Sequence, residues 1–255
     1  MNDFAAGLRL QLALFRRNPA QLMILSTIPF FSAIFLSGIK AVGRDDLASY
    51  AILGPALIGL WACSLDLGGS IIDNERLQQT FELNAIAPAG FSRVLAGRIA
   101  TITLLGLVTF AESLGMATTV FGLTVHVSHP FVLVVTLVAT ALAMAGTCTA
   151  MAAIFVAARS ARRFANALGY PFYLLGGVVV PVSYLPIWLR PLSWITYLYW
   201  SSGLLRSSLA PAAVGNEVGR LVMILVLGGA AYFLGMRLTL RLIGRLRLEG
   251  TIGLS

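Results

Sequence analysis

Long uncharged apolar stretches are the feature that most constrains this chain. They lie at residues 18–39, 47–65, 99–111, 113–158, 164–189 and 221–236. A bilayer core of about 30 Å needs about 20 apolar residues per helix, because each residue advances the helix axis by about 1.5 Å. With 58% apolar and 11% charged residues, the composition also differs from that of soluble globular proteins. We therefore predict an all-α polytopic membrane protein.

The charges that separate these stretches place six predicted transmembrane helices within a single domain, residues 1–255. The stretch 113–158 is too long for one span and divides at the loop that contains His126, His129 and Pro130. The predicted spans are residues 20–39, 48–70, 96–122, 131–157, 165–182 and 219–242.

Basic residues predict the orientation, because cytoplasmic loops retain Lys and Arg. Most of the 18 basic residues fall on the side of both termini, and the opposite side holds Lys40, Arg44, Arg190, Arg206 and Arg220. We therefore expect both termini to be cytoplasmic. The net charge of +8 then reflects topology in a lipid bilayer, and no nucleic-acid-binding module is recognisable.

The first 18 residues predict an amphipathic helix on the cytoplasmic membrane surface. Phe4, Leu8, Leu12 and Phe15 recur at helical spacing, and the arginines among them lie on the other side. The first apolar run is long enough to span, so we expect no cleaved signal peptide.

Residues 71–93 form a polar cytoplasmic segment between the second and third predicted spans. Phe81, Leu83 and Ile86 offer apolar groups among charges, which favours contact with a partner protein. This segment resembles the coupling segment of bacterial ABC-2 type transporter permeases, such as those of daunorubicin-resistance-type drug exporters. The matching positions are Glu75, Arg76, Thr80, Glu82, Leu83, Pro88 and Gly97, whereas Leu77, Gln79, Ala87 and Arg98 depart from the family pattern.

A second stretch of the chain, LLGGVVVPVSYLPIWL at residues 174–189, is similar to the pattern that follows the fifth span in the same family. The matching residues include Gly177, Pro181, Leu185, Pro186 and Trp188. Since proline lacks a backbone donor and lipid cannot satisfy unpaired groups, we expect the fifth span to end near Pro181. Residues 183–217 are then predicted to form short re-entrant helices in the outer leaflet.

The resemblance implies a membrane subunit that assembles with a second permease chain, identical or homologous, and two copies of an ABC ATP-binding subunit in the bacterial plasma membrane. A P-loop ends in Gly-Lys-Ser/Thr, but the single lysine, Lys40, lies between Ile39 and Ala41. The chain is therefore not predicted to be an enzyme or to bind a cofactor, and ATP and Mg are expected in the partner. The residues expected to couple the two subunits are Glu75, Arg76, Thr80, Phe81, Glu82, Leu83 and Pro88.

Two acidic residues interrupt apolar runs and are candidates for the translocation path. Glu112 lies mid-span, and Asp66 lies near the cytoplasmic end of its span. Charges at membrane depth usually face a bundle interior or a water-filled cavity, although a hydrogen-bonded structural carboxyl or an interfacial position explains them equally well. His126 and His129 lack a third ligand, so no metal site is predicted.

Export of a hydrophobic drug-like, antibiotic or lipidic substrate is the preferred function. The alternatives are export of a polysaccharide or glycolipid, and proton-coupled secondary transport through Glu112. Secondary transport is disfavoured because only one Gly/Pro-broken segment occurs, whereas inverted repeats would supply two. An intramembrane enzyme is disfavoured because, with Glu112 mid-span, His126 and His129 are expected outside the bilayer, which leaves no clustered acid, base or metal site.

Overall fold

The computed structural model describes residues 3–43, 47–68, 71, 75, 90–123, 125–157 and 169–249. Throughout these residues the regular structure is helical and no strand occurs. The α-helices of the described residues begin with α1 (Asp3–Arg17), α2 (Met23–Val42), α3 (Ala48–Cys63), α4 (Phe91–Gly106), α5 (Val108–Thr119) and α6 (Pro130–Ala157). They continue with α7 (Arg190–Ser193), α8 (Tyr197–Leu209) and α9 (Glu217–Glu249).

Five helical segments are long and apolar enough to cross a membrane, among the residues described. They are Pro19–Val42, Ala48–Gly68, Ser92–Thr119, Pro130–Ile154 and Glu217–Leu242. These segments correspond to the first, second, third, fourth and sixth predicted spans and confirm an all-α polytopic membrane protein.

The third span is made of α4 and α5, which are separated at Leu107. Thr109 Oγ1 lies 2.6 Å from the Gly106 carbonyl oxygen and 2.9 Å from the Ala56 carbonyl oxygen of α3. A side-chain hydroxyl at the carbonyl of the preceding turn bends a helix locally. The same contact ties the third span to α3.

The fifth predicted span lies partly outside the described residues, since residues 158–168 are not among them. Residues 169–175 are helical, and the helix ends there, earlier than the predicted end at residue 182. Gly177 adopts a left-handed conformation with φ 59°, its N–H bonds the Leu174 carbonyl, and the Val178 N–H bonds the Tyr173 carbonyl. This is the Schellman arrangement. A glycine cap therefore ends the helix, before Pro181 exerts any effect.

The bundle is built around α3. In the Ala48–Gly68 span 83% of the most apolar window is buried, against 17% in Pro19–Val42 and 22% in Glu217–Leu242. The fully buried Trp61 of α3 stacks on Phe172 with ring centroids 4.8 Å apart. The peripheral helices expose large apolar side chains such as Phe30 of α2 and Phe233 of α9. In a bilayer these faces meet lipid.

Helices α6 and α9 cross at unusually short range because glycines remove side chains from the contact. A Cβ added at Gly146 would overlap the Gly228 carbonyl oxygen, and one added at Gly235 would lie 2.5 Å from Ala150 Cα. Small residues allow membrane helices to approach until their backbones touch.

Candidate functional site

Helix α1 lies directly on the start of α4, and two glycines permit the contact. A Cβ at Gly7 would overlap the Val94 carbonyl oxygen, and one at Gly97 would overlap the Phe4 carbonyl oxygen. The two backbones therefore touch from both sides. We call this contact, formed by Asp3, Gly7, Gln11, Glu75, Gly90, Arg93, Gly97 and Arg98, the α1–α4 junction.

The N-terminal end of α4 is held by Asp3 of α1. Gly90, which precedes α4, has no side chain to cap the helix, and its N–H donates to Asp3 Oδ2 at 3.2 Å. The same carboxylate lies 3.6 Å from Arg93 Nη1. A carboxylate at a helix N-terminus satisfies unpaired N–H groups and interacts favourably with the helix dipole.

A buried polar network lies at the centre of the α1–α4 junction. Arg98 Nε donates to Gln11 Oε1 at 3.0 Å, and Arg98 Nη1 forms an ion pair with Glu75 Oε1. The exposed fractions are only 3% for Gln11, 5% for Arg98 and 7% for Glu75. A buried guanidinium is tolerated only when its charge is paired and hydrogen-bonded. The network therefore joins α1, α4 and the predicted coupling segment.

Glu75 is the one residue of the predicted coupling set that the structure describes. Its carboxylate points into the α1–α4 junction, so it reaches α4 through the protein interior. The other members of that set, Arg76, Thr80, Phe81, Glu82, Leu83 and Pro88, lie outside the described residues.

The face of α1 that packs against α4 is not its apolar stripe. Gly7, Gln11 and Phe15 are buried, whereas Phe4 and Leu12 are 43% and 50% exposed. The contact with α4 selects small and polar side chains, because the backbones touch there and Arg98 needs an acceptor. Phe4 and Leu12 remain available for the membrane interface. The sequence signal for the pairing was an arginine, Arg98, beside an apolar run with no partner nearby in the chain.

The two carboxylates proposed for the translocation path lie at different levels of α3. Asp66 is exposed on a π-helical turn, Ser64–Gly68, that continues α3, and π-turns occur frequently at functional sites. Glu112 lies on α5, and its Oε2 is buried without a hydrogen-bond partner among the described residues. Thr109 and Ser113, which flank Glu112, donate to the Ala56 and Ile52 carbonyls, so Glu112 lies beside the first half of α3 and Asp66 follows its other end.

At the opposite end of the bundle, Arg206 of α8 holds the turn that contains Gly177. Arg206 Nη1 donates to the Gly177 carbonyl at 2.9 Å, and Nη2 donates to Ser202 Oγ at 3.0 Å. The guanidinium carbon lies 4.1 Å from the ring centroid of Tyr50 on α3, within cation–π range. Burial lowers the pKa of the Arg206 guanidinium from its ordinary value, yet arginine stays charged in proteins. No pattern in the sequence indicated that Arg206 would contact Gly177, Ser202 and Tyr50.

The remaining residues of the predicted outer motif form the connection that follows this turn. Pro181 precedes a short 3₁₀ helix, Val182–Tyr184, and Leu185 and Pro186 lead to α7. The Trp188 side chain is 74% exposed, as expected of an aromatic residue at a membrane interface. Its predicted insertion into the outer leaflet stays a prediction.

Replacing Gly177 with alanine is expected to destabilise the protein by about 1–2 kcal/mol, because a left-handed conformation carries a steric cost for residues with a Cβ. The added Cβ would also lie 2.8 Å from Val182 Cγ2. Chemical unfolding of the purified variant in detergent measures the effect. Gly203→Ala in α8, where a Cβ meets nothing within 4 Å, is the control. Equal stability of the two variants would contradict a requirement for glycine in this turn.

His129, which directly precedes α6, makes structural contacts. His129 Nε2 lies 3.1 Å from the Ala212 carbonyl oxygen, and the His129 N–H donates to the Ser208 carbonyl. Across the residues that the structure describes, no three His, Cys, Asp or Glu side chains group in a way that would hold a metal ion.

Comparison with known proteins gives one family match. The sequence model of the ABC-2 type transporter family matches residues 4–210, which include the turn held by Arg206 and every residue of the α1–α4 junction except Asp3. No curated protein matches significantly. Domains of this family are membrane permease components of ABC transporters, and they work with a separate ABC ATPase. The chain therefore belongs to the ABC-2 type transporter family.

Proposed function

We propose that this chain is the permease subunit of an ATP-driven exporter, and that the α1–α4 junction transmits motion from the ATPase to the membrane helices. The observation that carries the proposal is the buried Gln11–Arg98–Glu75 network. Glu75 belongs to the segment expected to dock on the ATPase, and Arg98 lies near the start of the third span. A displacement of the docked segment would therefore act on α4 through a paired charge that is costly to separate.

The orientation that fits this proposal places α1 and both chain termini in the cytoplasm of a bacterial cell. The exposed arginines Arg16 and Arg17 at the end of α1 then face the anionic cytoplasmic leaflet. Two copies of the ATPase and a second permease chain complete the proposed complex.

The translocation path is proposed to run beside the end of α3. Asp66 is exposed within an apolar span, and carboxylates at membrane depth usually face a bundle interior or a water-filled cavity. A water-lined path between this chain and a second permease chain would provide such surroundings for Asp66, and Glu112 lies on α5, which packs beside the first half of α3. The preferred substrate remains a hydrophobic drug-like, antibiotic or lipidic molecule, because exposed aromatic residues such as Trp188 and Trp194 are explained by the membrane interface.

Substituting both Phe81 and Glu82 with alanine is expected to abolish co-purification with the partner ABC ATPase, because an apolar anchor and a charge are lost together. The experiment co-expresses the two subunits and compares the amount of ATPase retained on the tagged permease. Phe131→Ala, which removes a phenylalanine 79% exposed at the other end of the bundle, is the control. Retention of the ATPase at the unsubstituted level would overturn the proposed docking surface.

A further inference from the structure

A cavity of about 260 Å³ lies at the end of the bundle opposite the α1–α4 junction. It is bounded by the first turns of α3 and α9, by α8, and by the connection after Gly177. The residues that line it are Tyr50, Pro181, Val182, Ser183, Tyr199, Trp200, Gly203, Arg206 and Arg220. Because α3 and α9 begin their spans here, the cavity lies at the level of a membrane–water interface.

The cavity carries two positive charges and no acidic residue. Arg206 bonds the Gly177 carbonyl and Ser202 Oγ, and Arg220 Nη1 lies 3.3 Å from Ser207 Oγ. All of these acceptors are neutral, and neither arginine forms an ion pair with any carboxylate in the described part of the chain. Each guanidinium has five N–H donors, so several remain for a ligand.

Arginines at this end of the bundle need an explanation, since the positive-inside rule predicts few basic residues on the non-cytoplasmic side. Arg206 already has a structural role in holding the turn at Gly177. Arg220 has none comparable, because among the described residues its side chain donates to the Ser207 hydroxyl on the neighbouring helix alone. Its charge faces the same cavity as Arg206.

We propose that this cavity binds the phosphate group of an anionic phospholipid. Guanidinium groups match phosphate oxygens in geometry and charge, and the Tyr199 and Trp200 rings offer apolar surface to the glycerol and upper acyl chain. Drug-sized ligands occupy cavities of about 300–1,000 Å³, so a volume of about 260 Å³ suits a headgroup whose acyl chains remain in the bilayer. A choline headgroup is disfavoured, because it would bring a third cation beside the two arginines.

Native mass spectrometry of the purified chain in detergent tests this proposal with phosphatidylglycerol, phosphatidylcholine and inorganic phosphate as probes. We expect phosphatidylglycerol to bind in preference to phosphatidylcholine, and Arg220→Gln to weaken that binding about tenfold, the loss expected for a charge-assisted hydrogen bond. Lys40→Gln is the matched control, since Lys40 lies at the same end of the bundle, outside the cavity, with its Nζ bonded to the Phe121 carbonyl.

A second variant separates an effect on lipid binding from an effect on folding. Ser183 is exposed at the cavity, so Ser183→Asp places a carboxylate beside the arginines with little effect on packing. It too is expected to weaken phosphatidylglycerol binding about tenfold by competing for the arginines. Equal binding of the two lipids, or unchanged binding in both variants, would overturn the proposal. Binding of inorganic phosphate as tight as that of phosphatidylglycerol would overturn the lipid as the ligand.

Discussion

Replacing Arg98 with leucine is expected to lower the free energy of unfolding by about 3–5 kcal/mol, because it leaves the buried Glu75 carboxylate without its charge partner. Gln11 also loses the donor at 3.0 Å. Chemical unfolding of the purified variant measures the loss of stability. ATP-driven transport with the partner ATPase measures the loss of coupling.

The matched control is Arg93→Leu, which breaks the ion pair between Arg93 and Asp3 in the same junction. Those side chains are 76% and 26% exposed and their atoms lie 3.6 Å apart, so a change of about 0–1 kcal/mol is expected. If Arg93→Leu and Arg98→Leu lowered the free energy of unfolding by nearly equal amounts, burial of the Arg98 charge would not be the cause of the larger expected loss.

A double variant separates stability from coupling at Arg98. Combining Glu75→Leu with Arg98→Leu replaces the ion pair by apolar side chains, which is often neutral or stabilising for buried pairs. We expect the double variant to regain much of the stability lost in Arg98→Leu but to remain defective in ATP-driven transport. Normal transport in a stable double variant would show that the ion pair does not transmit motion.

Replacing Gly228 with alanine is expected to lower the free energy of unfolding by about 3 kcal/mol, at the upper end of the range for overpacked cores. The new Cβ would overlap Ala143 Cα and lie 2.5 Å from Ala143 Cβ. Since the obstruction is backbone, α9 must move away from α6. We expect reduced thermal stability in detergent and faster protease cleavage in the residues that connect α6 to α9, and these two measurements test the separation.

The adjacent glycine provides a control of opposite sign. A Cβ at Gly229 meets nothing within 4 Å, so Gly229→Ala is expected to stabilise α9 by about 0.5–1 kcal/mol through helix propensity. If Gly228→Ala and Gly229→Ala behaved alike, the proposed backbone contact between α6 and α9 would be incorrect.

The positions of the described spans followed from the sequence because they depend on local hydropathy. Charged residues are costly in hydrocarbon, so Lys40 and Arg220 mark the ends of apolar segments independently of the tertiary structure. The end of the fifth helical segment was less predictable. Prolines at 181 and 186 indicated a break, but the break occurs at Gly177, whose left-handed conformation depends on how the following residues turn back towards Arg206.

The face of α1 that packs against α4 did not follow from the sequence pattern. Its amphipathic character was evident from the spacing of Phe4, Leu12 and Phe15, but only Phe15 of these three is buried. The side of α1 that meets α4 is set by where the backbones can touch, at Gly7 and Gly97. Hydrophobic periodicity carries no information about such a contact.

By itself, the sequence determined the membrane class of this protein, most of its described spans and its family resemblance, because hydropathy and motif spacing are properties of contiguous residues. Tertiary structure alone decided which distant residues meet. Arg98 lies 87 positions from Gln11 and 23 from Glu75, and their pairing arises because folding places them in one dry space where an unpaired charge is costly. The arginine-lined cavity has the same origin, since helices far apart in the chain come together to form it.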